Sequence, residues 1–162
     1  DCRPAPSGAG MTLRRMAKRA PSGYRHDMKT QPVLTHEDCE RMGAAARAEA
    51  LQHGWAVTIA IVDGGGHLLW LQRLDGAPPI SAHMAPAKAR TAALGRRDSK
   101  VYEDMINQGR VSFLSAPEVR GMLEGGVQAL ADGHCVGAVG VSGVKSGEDA
   151  QIARAGIAAL GG

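Results

Sequence analysis

Trp55 to Ala77 read WAVTIAIVDGGGHLLWLQRLDGA. Two apolar runs flank a glycine triplet, which predicts a β-hairpin turning at Asp63-Gly64-Gly65-Gly66. In the first run Trp55, Val57, Ile59 and Ile61 point to one face and Ala56, Ala60 and Val62 to the other, with Thr58 the polar interruption. Apolar residues on both faces predict a strand covered on both. The return run alternates Leu69 and Leu71 with Leu68, Trp70 and Leu74. Asp75-Gly76-Ala77-Pro78-Pro79 then ends it, because consecutive prolines cannot continue a ladder. A second glycine-punctuated strand, His134 to Gly143 (HCVGAVGVSG), implies one antiparallel sheet. Its small residues Gly137, Ala138 and Gly140 require a close neighbour, either a helix or a ligand.

Helices are predicted around these strands. Thr35 and Asp38 form a capping-box pattern that opens a helix running to about His53, where Gly54 stops it. Cys39, Met42, Ala46 and Ala50 make its small-residue stripe, with Glu37 and Arg41 as an outer i,i+4 pair. A second helix begins after Ser81, with Pro86 in its first turn and Gly95 at its end. Ala85, Ala89 and Ala92 are its packing stripe, and Met84, Lys88 and Thr91 line up beside it. Residues 98–110 read as a short helix from Ser99, and 111–126 as irregular chain. A third strand at Val127 to Leu130 turns at Ala131-Asp132-Gly133, and Ser146 with Asp149 caps a closing helix through Leu160.

A chain of 162 residues with 44% hydrophobic content closes one ordinary domain. The formal charge of +3 is unevenly placed. Residues 1–27 carry six basic against two acidic side chains, and the remainder 13 against 14. The folded part is therefore neutral, which argues against nucleic acid as a partner. Residues 1–30 form a basic tail rich in Pro, Gly, Ser and Arg, expected to be disordered, and read first as upstream sequence before a start at Met11 or Met28 and second as an organelle transit peptide. The domain is expected over 31–162. No apolar run reaches the length of a membrane helix. Cys2, Cys39 and Cys135 are odd in number and widely spaced, which fits a reducing, cytoplasmic setting.

The ordered succession AIVDGGGHLLWLQRLDGA, KARTAALG, EGGV, DGHCVGAVGVSG and EDAQIARAG resembles the GlcG/HbpS family over about residues 31–161. That family includes haem-binding proteins and the C-terminal domain of PduO-type cobalamin adenosyltransferases. The resemblance implies a single α/β domain with an antiparallel sheet flanked by helices, profilin-like in architecture and assembled into homo-oligomers. It also implies a small-molecule ligand, with haem or a related tetrapyrrole as the candidate cofactor. Two positions depart from the family pattern: Gln128 follows Gly125-Gly126-Val127 where Pro is usual, and Asp98-Ser99 stands where Pro-Thr is usual. In a haem-binding relative a threonine hydroxyl near this point contacts haem, so Ser99 is the corresponding candidate here.

No motif names a reaction. Gly140-Val141-Ser142-Gly143-Val144 lacks the last glycine of a nucleophile elbow, and Gly143-Val144-Lys145-Ser146 lacks the glycine-lysine step of a phosphate loop. Both read as a tight strand-to-helix turn, which presents Ser142 and backbone N–H groups able to receive a carboxylate or propionate. None of the six histidines has metal-ligand spacing, so no metal site is expected. His83, between the DGAPP loop and the Lys88/Thr91 face, is the one histidine kept as a candidate, read first as a surface or capping residue and second as an iron contact. Lys88 is read either as an ion-pair partner of Asp75 or as the anchor of an anionic ligand, with Arg73 and Arg90 as further cations.

The candidate ligand site gathers Asp75, Gly76, Ala77, His83, Lys88, Thr91, Ser99, Gly125, Gly126, Gly140, Ser142 and Gly143. Three functions fit: a haem or tetrapyrrole binder, a small catabolic enzyme acting on an organic acid or oxo-acid with Lys88 as its first candidate catalytic residue, and an accessory or regulatory subunit.

Overall fold

The computed structural model describes residues 29–161, and the expectations for residues 1–27 lie outside them. The elements follow in the order α1 (His36–Gln52), β1 (Thr58–Asp63), β2 (Leu68–Arg73), α2 (Ser81–Gly95), α3 (Ser99–Asn107), β3 (Gly126–Ala131), β4 (His134–Ser142) and α4 (Ser146–Ala158). A 3₁₀ turn at Val111–Ser115 interrupts the chain between α3 and β3. The strands form one antiparallel sheet in the order β2-β1-β4-β3. This is the α/β domain expected of the sequence.

The Trp55–Ala77 hairpin turns where the glycines stand, and Asp63 closes it by accepting the N–H groups of Gly65 and His67 at 2.8 and 2.9 Å. Central strand β1 is buried on both faces. Val57, Ile59 and Ile61 pack with Val139 and Val141 under Met42 and Ala46 of α1 and Ile152 and Ala153 of α4. On the opposite face Val62 and Ala138 meet Ala89, Ala92 and Ala93 of α2. The return strand β2 is an edge, and Leu68, Leu69 and Leu71 remain 52%, 45% and 40% exposed.

The close neighbour of Gly140 is a helix. A Cβ there would collide with the Ala85 carbonyl and, at 2.5 Å, the Ala89 nitrogen, so the glycine lets α2 lie directly on β4. The capping box of α1 forms as read: Thr35 N–H donates to Asp38 at 2.8 Å, and Asp38 N–H to the Thr35 hydroxyl at 3.2 Å. Three local readings are corrected. Arg41 pairs with Asp38 at 2.6 Å rather than with Glu37, because the capping carboxylate is already fixed one turn back. Pro86 is the sixth residue of α2, in its second turn. Gly95 ends α2 as read, and Arg96 after it takes the left-handed conformation, with φ 50°. At α4 the N-terminal acceptor is Glu148, which takes the Lys145 N–H at 3.1 Å and leaves Asp149 to turn inward.

Candidate functional site

Lys88 sits one turn along α2 from the point where Gly140 admits the helix to the sheet. Its ammonium reaches Asp149 of α4 at 2.8 Å, and both side chains are almost wholly buried. The two helices lie on opposite faces of the sheet, so the lysine stem must pass the start of β3. Gly125 and Gly126 make the passage. A Cβ on Gly125 would fall 2.9 Å from both the ammonium nitrogen and Asp149 Cβ, and one on Gly126 would strike the Lys88 carbonyl. Gly125 also has φ 121°, a conformation that side chains resist. The double glycine thus makes room for the lysine side chain.

Asp149 is held from a second side, accepting the Val144 N–H at 3.3 Å. Burial nevertheless pushes its carboxyl above the ordinary carboxylate range, against the pull of Lys88 and of that N–H. Asp149 and Glu148 together occupy the N-terminal end of α4, where the sequence suggested that an external carboxylate would be received.

Ser99 belongs to the same knot. Its hydroxyl donates to the Leu123 carbonyl at 2.5 Å and accepts the Gly126 N–H at 2.9 Å, pinning the start of α3 to the start of β3. Thr91 donates to the Ala87 carbonyl at 2.9 Å and is fully buried. Asp75 is exposed and takes no part; the proposed Asp75–Lys88 pair is replaced by Asp149–Lys88. Gly76 (φ 80°) and Gly143 (φ 150°) both pack on Ala56, ahead of β1. Ala77 is buried, and its carbonyl accepts both Nε and Nη2 of Arg73 at 3.0 and 2.6 Å. Ser142 pairs with Thr58 across the ladder. The structure therefore divides the twelve candidates: Lys88, Ser99, Gly125, Gly126 and Gly140 meet where α2 lies on β3 and β4, while Gly76, Gly143 and their neighbours meet around Ala56. His83 stands apart, exposed on α2.

The family described as "Haem degrading protein HbpS-like" matches residues 34–158. Protein GlcG of Escherichia coli (strain K12) is 50% identical over 115 residues, which are 71% of this chain and 85% of that protein. The chain belongs to the HbpS-like family. The HbpS-like fold recurs in a double mutant of Streptomyces reticuli HbpS, with TM-score 0.77 and 34% identity over 89% of this chain and 99% of that one. It recurs again in a PduOC:haem complex, with TM-score 0.72 and 28% identity over 79% and 95%.

The HbpS-like domain also carries a groove that the candidate set did not include. Leu114, Ser115, Ala116, Pro117, Val119, Arg120 and Met122 line a cavity of about 360 Å³. Pro117 and Arg120 are shared with a second cavity of about 270 Å³ that extends to Ala87 and Arg90 of α2. His83, Ala87 and Arg90 are spaced i, i+4 and i+7, so they form one stripe on the outer face of that helix. The signal for Asp149 was present as the Ser146–Asp149 pattern, but that spacing fits a cap equally well. Arg120 had no signal, because residues 111–126 show no periodicity.

Proposed function

We propose that this protein binds a small molecule, and that the ligand is haem or a related tetrapyrrole. The observation that carries the reading is the match, across 79% of the chain, to the fold of PduOC in its haem complex. The described residues fit such a group on the outer face of α2. His83 is exposed, and its side chain makes no hydrogen bond or ion pair among them. Its stripe runs roughly 10 Å, seven residues at helical rise, to a cationic and apolar groove. His83 would contact the iron, the groove would shelter apolar surface, and the Lys88–Asp149 pair would hold α2 in place between sheet and groove. When bound, haem supplies a redox-active iron whose behaviour depends on its axial ligand and on burial.

An enzyme reading with Lys88 as acid, base or electrophile meets an obstacle in the same geometry. The ammonium is enclosed and paired with Asp149, so a substrate would have to open the α2–β3 packing to reach it. Ser99, the other hydroxyl candidate, spends its donor on backbone. Self-association belongs to the proposal as well, through the exposed leucines of the β2 edge.

Titrating the purified protein into haemin tests the reading. A shifted and sharpened Soret band is expected, weakened about tenfold or more in His83→Ala as an iron contact is lost. Absence of any Soret change at micromolar protein contradicts it.

A further inference from the structure

Two arginines line the groove beside α2, and backbone packing brings both to it. Gly121 packs on the Ala87–Lys88 peptide so tightly that any Cβ would collide with it, which sets Arg120 against the helix. On the other side the stem of Arg90 rests against Gly66, and its Nη1 donates to the Gly66 carbonyl at 3.4 Å. Arg90 Nη2 pairs with Glu118 at 3.1 Å, but that carboxylate is 72% exposed. An ion pair so open to water contributes little and exchanges readily. Arg120 makes no ion pair among the described residues; its Nε donates to the Pro117 carbonyl at 3.4 Å. The 270 Å³ cavity is therefore lined by two guanidinium groups and one loosely held carboxylate. It adjoins a trough in which Leu114, Ala116, Val119 and Met122 stand beside Ser115 and Arg120. Lys88, one residue from Ala87, adds nothing here because Asp149 neutralises it.

The geometry points to Arg90 and Arg120 as a carboxylate-binding pair, with Glu118 as the chain's own carboxylate that a ligand carboxylate displaces from Arg90. The inference builds on the reading of the protein as a binder of a carboxylate-bearing tetrapyrrole. Arginine suits the task because its planar fork meets a carboxylate through two parallel hydrogen bonds. The trough beside it suits a ligand whose remainder is apolar, as a tetrapyrrole is. A small dicarboxylic acid would present the same chemistry to the two arginines and leave the trough unused.

Three probes separate these sources: haemin, haemin dimethyl ester, which has no free carboxylate, and malonate. Each is titrated into the full chain and into Arg90→Gln, Arg120→Gln and Glu118→Gln, by Soret absorbance or calorimetry. Wild type is expected to bind haemin about tenfold more tightly than the ester, the scale of a charge-assisted hydrogen bond. Each arginine variant is expected to lose that discrimination. Glu118→Gln is expected to bind haemin a few-fold more tightly, since its competitor for Arg90 is gone, and a gain cannot arise from damaged folding. If haemin gives no Soret change but malonate binds with the same variant pattern, the arginine pair stands and the tetrapyrrole reading falls. If haemin binds but ester, arginine variants and Glu118→Gln all match wild type, the inference is overturned and the tetrapyrrole reading survives. If neither probe binds, both are overturned.

Discussion

Lys88 and Asp149 illustrate how a buried charge is made tolerable without making the fold more stable. Removing both groups from water costs several kcal/mol per ion, and their attraction roughly restores it. Burial pushes the Asp149 carboxyl up even so, outweighing the pull of Lys88. Leaving one charge behind is much worse than removing both. Asp149→Ala and Lys88→Ala are each expected to lose about 3–5 kcal/mol in urea unfolding, whereas Lys88→Met with Asp149→Leu stays close to wild type or exceeds it. Single losses below about 1 kcal/mol would show that the pair is not buried as described. Lys88 was singled out in the sequence because a lysine beside an alanine stripe needs an acceptor. The acceptor was misassigned to Asp75, 13 residues away, since a partner 61 residues along the chain leaves no local trace.

At the scale of elements, interactions that close within one turn were legible and those between elements were not. The α1 capping box is i to i+3 and formed as read, and Thr35→Ala is expected to cost about 1 kcal/mol. Hydrogen bonds from the Thr35 backbone and hydroxyl, with Arg41 beside them, lower the Asp38 carboxyl from 3.8 to about 2. A depressed carboxyl favours the folded state above its unfolded value, so this contribution is complete above about pH 4 and disappears as pH falls towards 2. Thr35→Ala should therefore flatten the acid limb of a stability–pH curve between those values. An unchanged limb would contradict the assignment. Small residues in β4 signalled a close approach but not its cause. The helix is the cause at Gly140, and Gly140→Ala is expected to lose about 1–3 kcal/mol in chemical denaturation by forcing α2 off the sheet. The 114–122 groove stayed invisible because irregular chain has neither a period nor a cap to read.

Over the whole molecule, one sheet divides the chain's chemistry. Its α1/α4 face is closed by aliphatic packing, the buried Lys88–Asp149 pair joins α2 to α4, and the outside of α2 faces the groove. The β2 edge remains apolar, with Leu69 bordering a further cavity of about 380 Å³ alongside Leu34 and Val136. Such an edge is expected to pair with a second copy. Light scattering at micromolar concentration should give a multiple of the 16.8 kDa chain mass, and Leu69→Lys with Leu71→Lys should reduce it. A monomer mass for the unaltered chain would refute self-association.

The central claim is that ligand is held on the outer face of α2 and not at the buried lysine. A structure of the protein with haemin bound tests it most directly. The account predicts density in the groove between α2 and Leu114–Met122, its carboxylates towards Arg90 and Arg120 and its iron towards His83, with Lys88 and Asp149 still paired. Density that separates Lys88 from Asp149, or that lies along β2 away from α2, would contradict it.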